Sequence, residues 1–267
     1  MELQLDNFSI EQIAASGQCF RMIREEDGNY SVIAGDRYIK VRENGLTTVF
    51  ECSDEDFGSF WCEYFDLDRD YSRFIHALDP KDYYLKNAAQ KGSGIRILKQ
   101  DLWETTVSFL ISQQNNIIRI RRCINNISQK YGEKKIAGDG TVYHAFPKPK
   151  ALCCLPENAL MECNLGYRSK YVVRCARDVM EGRIDLGAVQ KMDYLSAREE
   201  LMKLFGVGGK VADCICLFSL HHLEAFPVDT HINQVLEREY AGNFPFERYA
   251  GFQGVIQQYI FYNELKA

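Results

Sequence analysis

Residues 201–218 read Leu201-Met202-Lys203-Leu204-Phe205-Gly206-Val207-Gly208-Gly209-Lys210-Val211-Ala212-Asp213-Cys214-Ile215-Cys216-Leu217-Phe218, and Pro227-Val228-Asp229-Thr230-His231 follows closely. A helical apolar pattern at Leu201 and Leu204 stops at Gly206-Val207-Gly208-Gly209, and a second restarts at Val211. This predicts a helix–hairpin–helix over about 194–220. The glycines let the backbone turn sharply and approach another backbone without a Cβ clash. Amides at the start of the second helix then point outward, where they suit a phosphate. Lys210 opens that second helix, where an amine beside DNA could act as a nucleophile. A hairpin of this kind implies DNA, and Lys210 with Asp229 implies chemistry on it.

Outward from this stretch, composition bounds the answer. The chain has 267 residues, 46% of them hydrophobic and 26% charged, enough to bury a large core in one or two domains. No apolar run is long enough to span a membrane. Met1-Glu2-Leu3-Gln4-Leu5-Asp6 lacks the basic, apolar character of a secretion signal, so the expectation is a chain that is not secreted and is cytoplasmic in a prokaryote. A monomer is expected. The ten cysteines form no Cys-x-x-Cys pair and none lies beyond Cys216, which argues against a zinc site and an iron–sulfur cluster. Reduced packing residues are expected instead.

The net charge of −5 is unevenly spread: residues 1–80 hold 7 basic against 17 acidic residues, and residues 81–267 hold 25 against 20. Basic residues cluster at Arg119, Arg121, Arg122, Lys130, Lys134 and Lys135, and at Arg168, Lys170, Arg174 and Arg177. Such patches can contact phosphates while the remote part stays acidic; solvated helix faces are the plainer alternative.

Residues 28–50 read as β-structure, with strands at 30–33, 37–42 and 46–50 and an Asn44-Gly45 hairpin turn. From about 54 the pattern becomes helical. Asp101 is expected to cap a helix with Glu104 reaching back in a capping box, and Trp103, Val107, Leu110 and Ile111 form its apolar stripe. Further helices are predicted at about 117–131, 169–181, 194–204, 210–220, 231–240 and 247–264, with 132–150 a loop. The fold class is α+β: an N-terminal antiparallel sheet domain at 1–85, then a mostly helical domain at 86–267.

The hairpin with Lys210 and Asp229 resembles the helix–hairpin–helix (HhH-GPD) DNA glycosylases, and more narrowly the 8-oxoguanine DNA glycosylase/AP lyases. Four further segments match the narrower family: Ser16-Gly17-Gln18-Cys19-Phe20-Arg21, Gly94-Ile95-Arg96-Ile97-Leu98-Lys99-Gln100-Asp101, Asn115-Asn116-Ile117-Ile118-Arg119 and Leu165-Gly166-Tyr167-Arg168-Ser169-Lys170-Tyr171. The resemblance implies double-stranded DNA containing 8-oxoguanine as partner, Lys210 as nucleophile and Asp229 as the carboxylate that stabilises positive charge on the sugar. It puts the carbonyl that reads the lesion's N7–H on Gly17, the flipped base between Cys214 and Phe261, and Gln257 on its Watson–Crick edge, with Gln253 and Gln258 as alternatives. It has Gln114 fill the vacated space, Tyr167 wedge into the stack, and Arg119 with Arg168 read the orphan cytosine. Gly206 and Gly208 would bind DNA, and His231 would hold a phosphate or support Asp229. The bland alternatives are a phosphate-binding helix lysine for Lys210, a helix cap for Asp229, a turn glycine for Gly17, core packing for Phe261 and His231, and plain phosphate contacts for the two arginines.

No catalytic metal or cofactor is implied; a structural monovalent cation on the hairpin carbonyls is an open expectation. Two positions depart from the family pattern: Gln114 stands where close members carry Asn, and Phe205 stands where Pro usually precedes the hairpin. The rival readings are a sister glycosylase for another oxidised base and a non-catalytic DNA-binding module.

Overall fold

The computed structural model describes residues 1–45 and 47–265. The N-terminal part is a five-stranded antiparallel sheet in the order β1-β5-β4-β3-β2, formed by β1 (Glu2–Gln4), β2 (Met22–Arg24), β3 (Tyr30–Ala34), β4 (Arg37–Asn44) and β5 (Thr47–Phe50). The expected turn is present: Asn44 pairs with Thr47, and Gly45 has φ +63°. Leu46, the expected first residue of β5, lies outside the described residues. The outer strands β1 and β2 lack a visible alternation at their length, and sequence reading missed both. Val32, Ile39, Val41 and Phe50 are fully buried on one face of the sheet, packed against Ile10 and Ile13 of α1 (Ile10–Ala15) and against Trp61 and Phe65.

The helical body has its own, larger core, drawn from Tyr71 onward and including Phe20. Its main helices are α2 (Tyr83–Lys91), α3 (Leu102–Ser112), α4 (Ile117–Tyr131), α5 (Arg168–Met180), α6 (Tyr194–Leu201), α7 (Gly209–Phe218), α8 (Thr230–Tyr240) and α9 (Gln253–Leu265). Most begin on a side-chain cap: Asp82, Asp101, Asn116, Asp193 and Asp229 each accept from an amide in the first turn. None of the described helices is long and apolar enough to cross a membrane.

Three expectations are corrected. Glu104 does not close a capping box. Its carboxylate is drawn away to the Gly35 amide at 2.8 Å and to Arg21 at 3.5 Å, because tertiary partners outcompete the local turn. The stretch 132–150 is not a plain loop: β6 (Lys134–Ile136) and β7 (Val142–His144) form a hairpin, and residues Pro149–Leu152 a short helix. That hairpin docks on the sheet through Lys135–Asp36 at 2.8 Å, Lys40–Asp139 at 2.7 Å and stacked Tyr38 and Tyr143 rings, all long-range contacts invisible to periodicity. Finally, the helix expected at 247–264 is split. A 3-10 turn at Phe246–Tyr249 and Gly251, at φ +84°, precede α9.

Two buried side chains join the sheet to the body. Arg96 donates to the carbonyls of Asp6, Asn7, Asp66 and Arg69, which ties the N-terminal strand's exit to the turn at 66–69. Gln18 is fully buried and bonds like a piece of backbone: it donates to the Arg96 carbonyl at 2.9 Å and accepts from the Leu98 amide at 2.8 Å. Through these bonds the segment Gly94–Asp101 holds the segment Ser16–Arg21, in which Gly17 sits.

Candidate active site

The sharp turn expected at the glycines is present. Gly206 has φ +93°, and a Cβ there would lie 2.7 Å from Cγ of Tyr171, so only glycine fits beneath that ring. The Gly206 carbonyl accepts from the Gln113 side chain at 3.0 Å, fixing the hairpin to the end of α3. Gly208 is the N-cap residue of α7, with open space where a side chain would stand. Asp213, inside the otherwise apolar α7, accepts from Tyr194 Oη at 2.8 Å and Arg198 Nε at 2.6 Å, both on α6. Arg198 crosses Gly209 so closely that a Cβ would meet its Nη2 at 2.6 Å. This pair sets the angle between the two helices of the motif. Sequence reading passed over it, although an aspartate among Val211, Ala212, Cys214 and Ile215 was a signal.

Beside the hairpin lies a cleft of about 940 Å³. Gly17, Gln114, Gly208, Lys210, Asp229, His231 and Phe261 all line it, joined by Phe20 and Phe109. The Lys210 ammonium lies 5.5 Å from the centre of the Phe109 ring. Asp229 caps α8, its Oδ1 accepting from the Ile232 amide at 2.8 Å. Capping and facing the cleft are therefore compatible. Phe261 packs edge-on against His231 at 6.4 Å between centroids.

Other expected residues stand behind or around the cleft. Cys214 is buried one helical turn along α7 from Lys210. Burial pushes its thiol up to about 11 and Lys210 pulls it back only in part, so the thiol stays neutral at physiological pH. Of the two sides expected to sandwich a base, Phe261 lines the cleft and Cys214 lies beneath it. Gln257 is buried, donating to the Pro227 carbonyl at 3.1 Å and accepting from Gln258 at 3.0 Å. Gln253 is tied instead to Gly251 and Phe246.

At the rim, Gln114 has φ +47°, a conformation that costs a non-glycine residue energy and needs outside support. Arg168 supplies it by donating to the carbonyls of Gln113 at 2.7 Å and Gln114 at 2.8 Å. Its guanidinium also lies 4.5 Å beneath the ring of exposed Tyr167, whose hydroxyl donates to Gln114 Oε1 at 3.3 Å. In this structure the Arg168 side chain is buried and engaged with backbone, holding Gln114 and Tyr167 in place. Arg119 is exposed, forming no ion pair among the described residues. The basic clusters thin out in the same way. Arg121 donates to the Ala14 carbonyl, Arg174 is held by Glu157, Arg177 by the Cys153 and Leu155 carbonyls, Lys130 by Glu162 and Lys135 by Asp36. Among the described residues no group of three or more His, Cys, Asp or Glu side chains is set to hold a metal.

Comparison with known families accords with this geometry. A family model for the 8-oxoguanine DNA glycosylase N-terminal domain matches residues 1–106, and one for HhH-GPD superfamily base excision DNA repair proteins matches residues 107–244. The chain belongs to the 8-oxoguanine DNA glycosylase family. It is 32% identical over 259 residues to the N-glycosylase/DNA lyase of Saccharomyces cerevisiae, covering 86% of this chain and 68% of that one. It is 30% identical over 226 residues to the probable N-glycosylase/DNA lyase of Methanothermobacter thermautotrophicus, covering 74% and 71%. Among solved structures it is similar to the Clostridium acetobutylicum 8-oxoguanine glycosylase/lyase in complex with double-stranded DNA containing cytosine opposite 8-oxoG. There the TM-score is 0.92 and the identity 38%, with 98% and 93% of the two chains covered.

Proposed function

We propose that this protein excises 8-oxoguanine from duplex DNA, preferentially opposite cytosine, and then cleaves the abasic strand through a Lys210 Schiff base. The observation that carries this reading is the meeting of Lys210, Asp229, Gly17 and Phe261, from four separate parts of the chain, in one cleft. Lys210 Nζ, once deprotonated, attacks C1′ as the bond from C1′ to the base breaks and the base leaves with a proton. The aminal opens to an imine, loss of a C2′ proton follows, and the C3′–O bond breaks to release the 3′ phosphate. Asp229 stabilises positive charge on the sugar through the carboxylate oxygen not bound to Ile232. The neutral Cys214 thiol does not compete as nucleophile.

The base would enter against Phe261, with the Gly17 carbonyl accepting from the lesion's N7–H, a hydrogen that guanine lacks. Gln257 is the glutamine we assign to the Watson–Crick edge, because it bonds the carbonyl of Pro227, two residues before Asp229, and keeps a second amide N–H. Gln114 and Tyr167 would fill and wedge the vacated duplex, with Arg119 and Arg168 on the orphan cytosine. Gly206, Gly208 and His231 would hold the backbone. The chemistry asks for no cofactor; a monovalent cation on the hairpin carbonyls would be structural. Such an enzyme works as a monomer wherever the chromosome lies, in a prokaryote the cytoplasm.

Borohydride trapping tests the reading. Wild type should form a covalent adduct with a duplex carrying 8-oxoguanine opposite cytosine, in preference to other lesions and partner bases. Lys210→Gln should form none; equal trapping by that variant would overturn the assignment.

A further inference from the structure

Phe205 stands where the family resemblance leads one to expect proline, and its ring has a defined set of neighbours. Tyr171 meets it edge-on at 5.3 Å. The Arg174 guanidinium lies 4.3 Å over its face and the Lys170 ammonium 5.8 Å from its centre. Arg174 is itself fixed by two bonds to Glu157, at 2.8 and 3.0 Å. On its other side Tyr171 meets Tyr167 edge-on at 5.7 Å, and it also covers Gly206. The three rings form a ladder from Tyr167 to the first hairpin glycine.

Folding alone does not account for it. Phe205 remains 40% exposed and Tyr167 45% exposed, so both ends of the ladder face solvent. A proline would stiffen the turn by fixing one φ angle, with no effect beyond it. Phenylalanine gives up that local restraint and instead ties the hairpin to α5, which carries Tyr167 at its start. We propose that Phe205 is a positioning residue that couples the hairpin to the Tyr167 wedge through Tyr171, so that clamping the phosphate and inserting the wedge become one binding event. This rests on the reading above, in which hairpin and wedge both meet DNA.

The test is single-turnover excision on an 8-oxoguanine–cytosine duplex at rising enzyme concentration, for wild type, F205L, F205Y, F205P, Y167A and the double variant F205L/Y167A. F205L should raise the half-saturating concentration about five- to tenfold, the scale of one lost aromatic contact, and leave the saturating rate within about twofold. F205Y, which keeps the ring, should match wild type. F205P should resemble F205L, because proline restores stiffness without the ladder. The double variant should lose no more than the worse single variant. The proposal is overturned if F205L saturates like wild type, if F205Y loses as much as F205L, if F205P behaves as wild type, or if the two losses multiply. Wild type that leaves no borohydride-trapped adduct would overturn the activity reading itself, an outcome distinct from a trapping wild type with an unaffected F205L.

Discussion

Gly17 lies against the ring of Phe261, so close that a Cβ on Gly17 would stand 2.7 Å from Phe261 Cε1. The two residues come from opposite ends of the chain and line the same cleft. The fit requires glycine twice over, for the space and for its φ of +74°. It also sets the distance between the backbone expected to read the base and the ring expected to stack on it.

Gly17→Ala should therefore injure recognition more than chemistry. The left-handed backbone alone costs an alanine about 1–2 kcal/mol, and the methyl must displace the Phe261 ring. Excision of 8-oxoguanine should fall by at least about tenfold. Schiff-base trapping on a preformed abasic site, where no base needs reading, should fall much less. Comparing the two rates in one preparation checks this.

Asp229→Asn keeps an oxygen to accept from the Ile232 amide and so keeps the cap, but it removes the negative charge. Excision should slow by about 10²-fold. Affinity for a duplex with a non-cleavable abasic analogue, read by fluorescence anisotropy, should change little. Asp229→Ala should in addition destabilise the fold by about 1 kcal/mol through loss of the cap.

Asp213→Ala leaves Arg198 and Tyr194 without their shared acceptor at the crossing of α6 and α7. Because Arg198 is one-third exposed, solvent recovers part of the loss. A destabilisation of about 2–3 kcal/mol is expected by denaturant unfolding. DNA affinity should weaken as well, since the hairpin angle depends on that pair. Unchanged affinity with lowered stability would confine Asp213 to folding.

Asp66 makes stability depend on acid. Burial alone would raise its carboxyl, but the His221 and Arg69 side chains, at 3.2 and 2.8 Å, outweigh it and hold the group far below the usual carboxylate range. Its folded value thus lies below its unfolded value of about 4. The stabilisation is complete above the unfolded value and is lost as pH falls below it toward the folded one. Urea unfolding between pH 6 and pH 2 should show a steep loss beginning near pH 4. Asp66→Asn should be less stable at neutral pH and show a shallower acid slope.

Much of the local structure was legible because its causes are local. The cap Asp101, the Asn44-Gly45 turn, the bounds of α4 at Ile117–Tyr131 and the glycine hairpin all follow from residues within a turn of one another. That Lys210 and Cys214 share one helix face follows from helical spacing alone. The fate of polar side chains with a choice of partners was not legible. Glu104 chose Gly35 and Arg21 over its own helix start, Arg168 chose the backbone of Gln113 and Gln114, and the hairpin at 134–144 formed against Asp36 and Lys40.

By itself the sequence determined the elements, the hairpin and the types of residue available for chemistry, since these depend on backbone preference and spacing along the chain. Only the tertiary structure decided that Gly17 would meet Phe261 and that Phe205 would reach Tyr167 through Tyr171. Each of those contacts joins distant segments. Its energy comes from burial and pairing after the chain has closed on itself, which no window of sequence records.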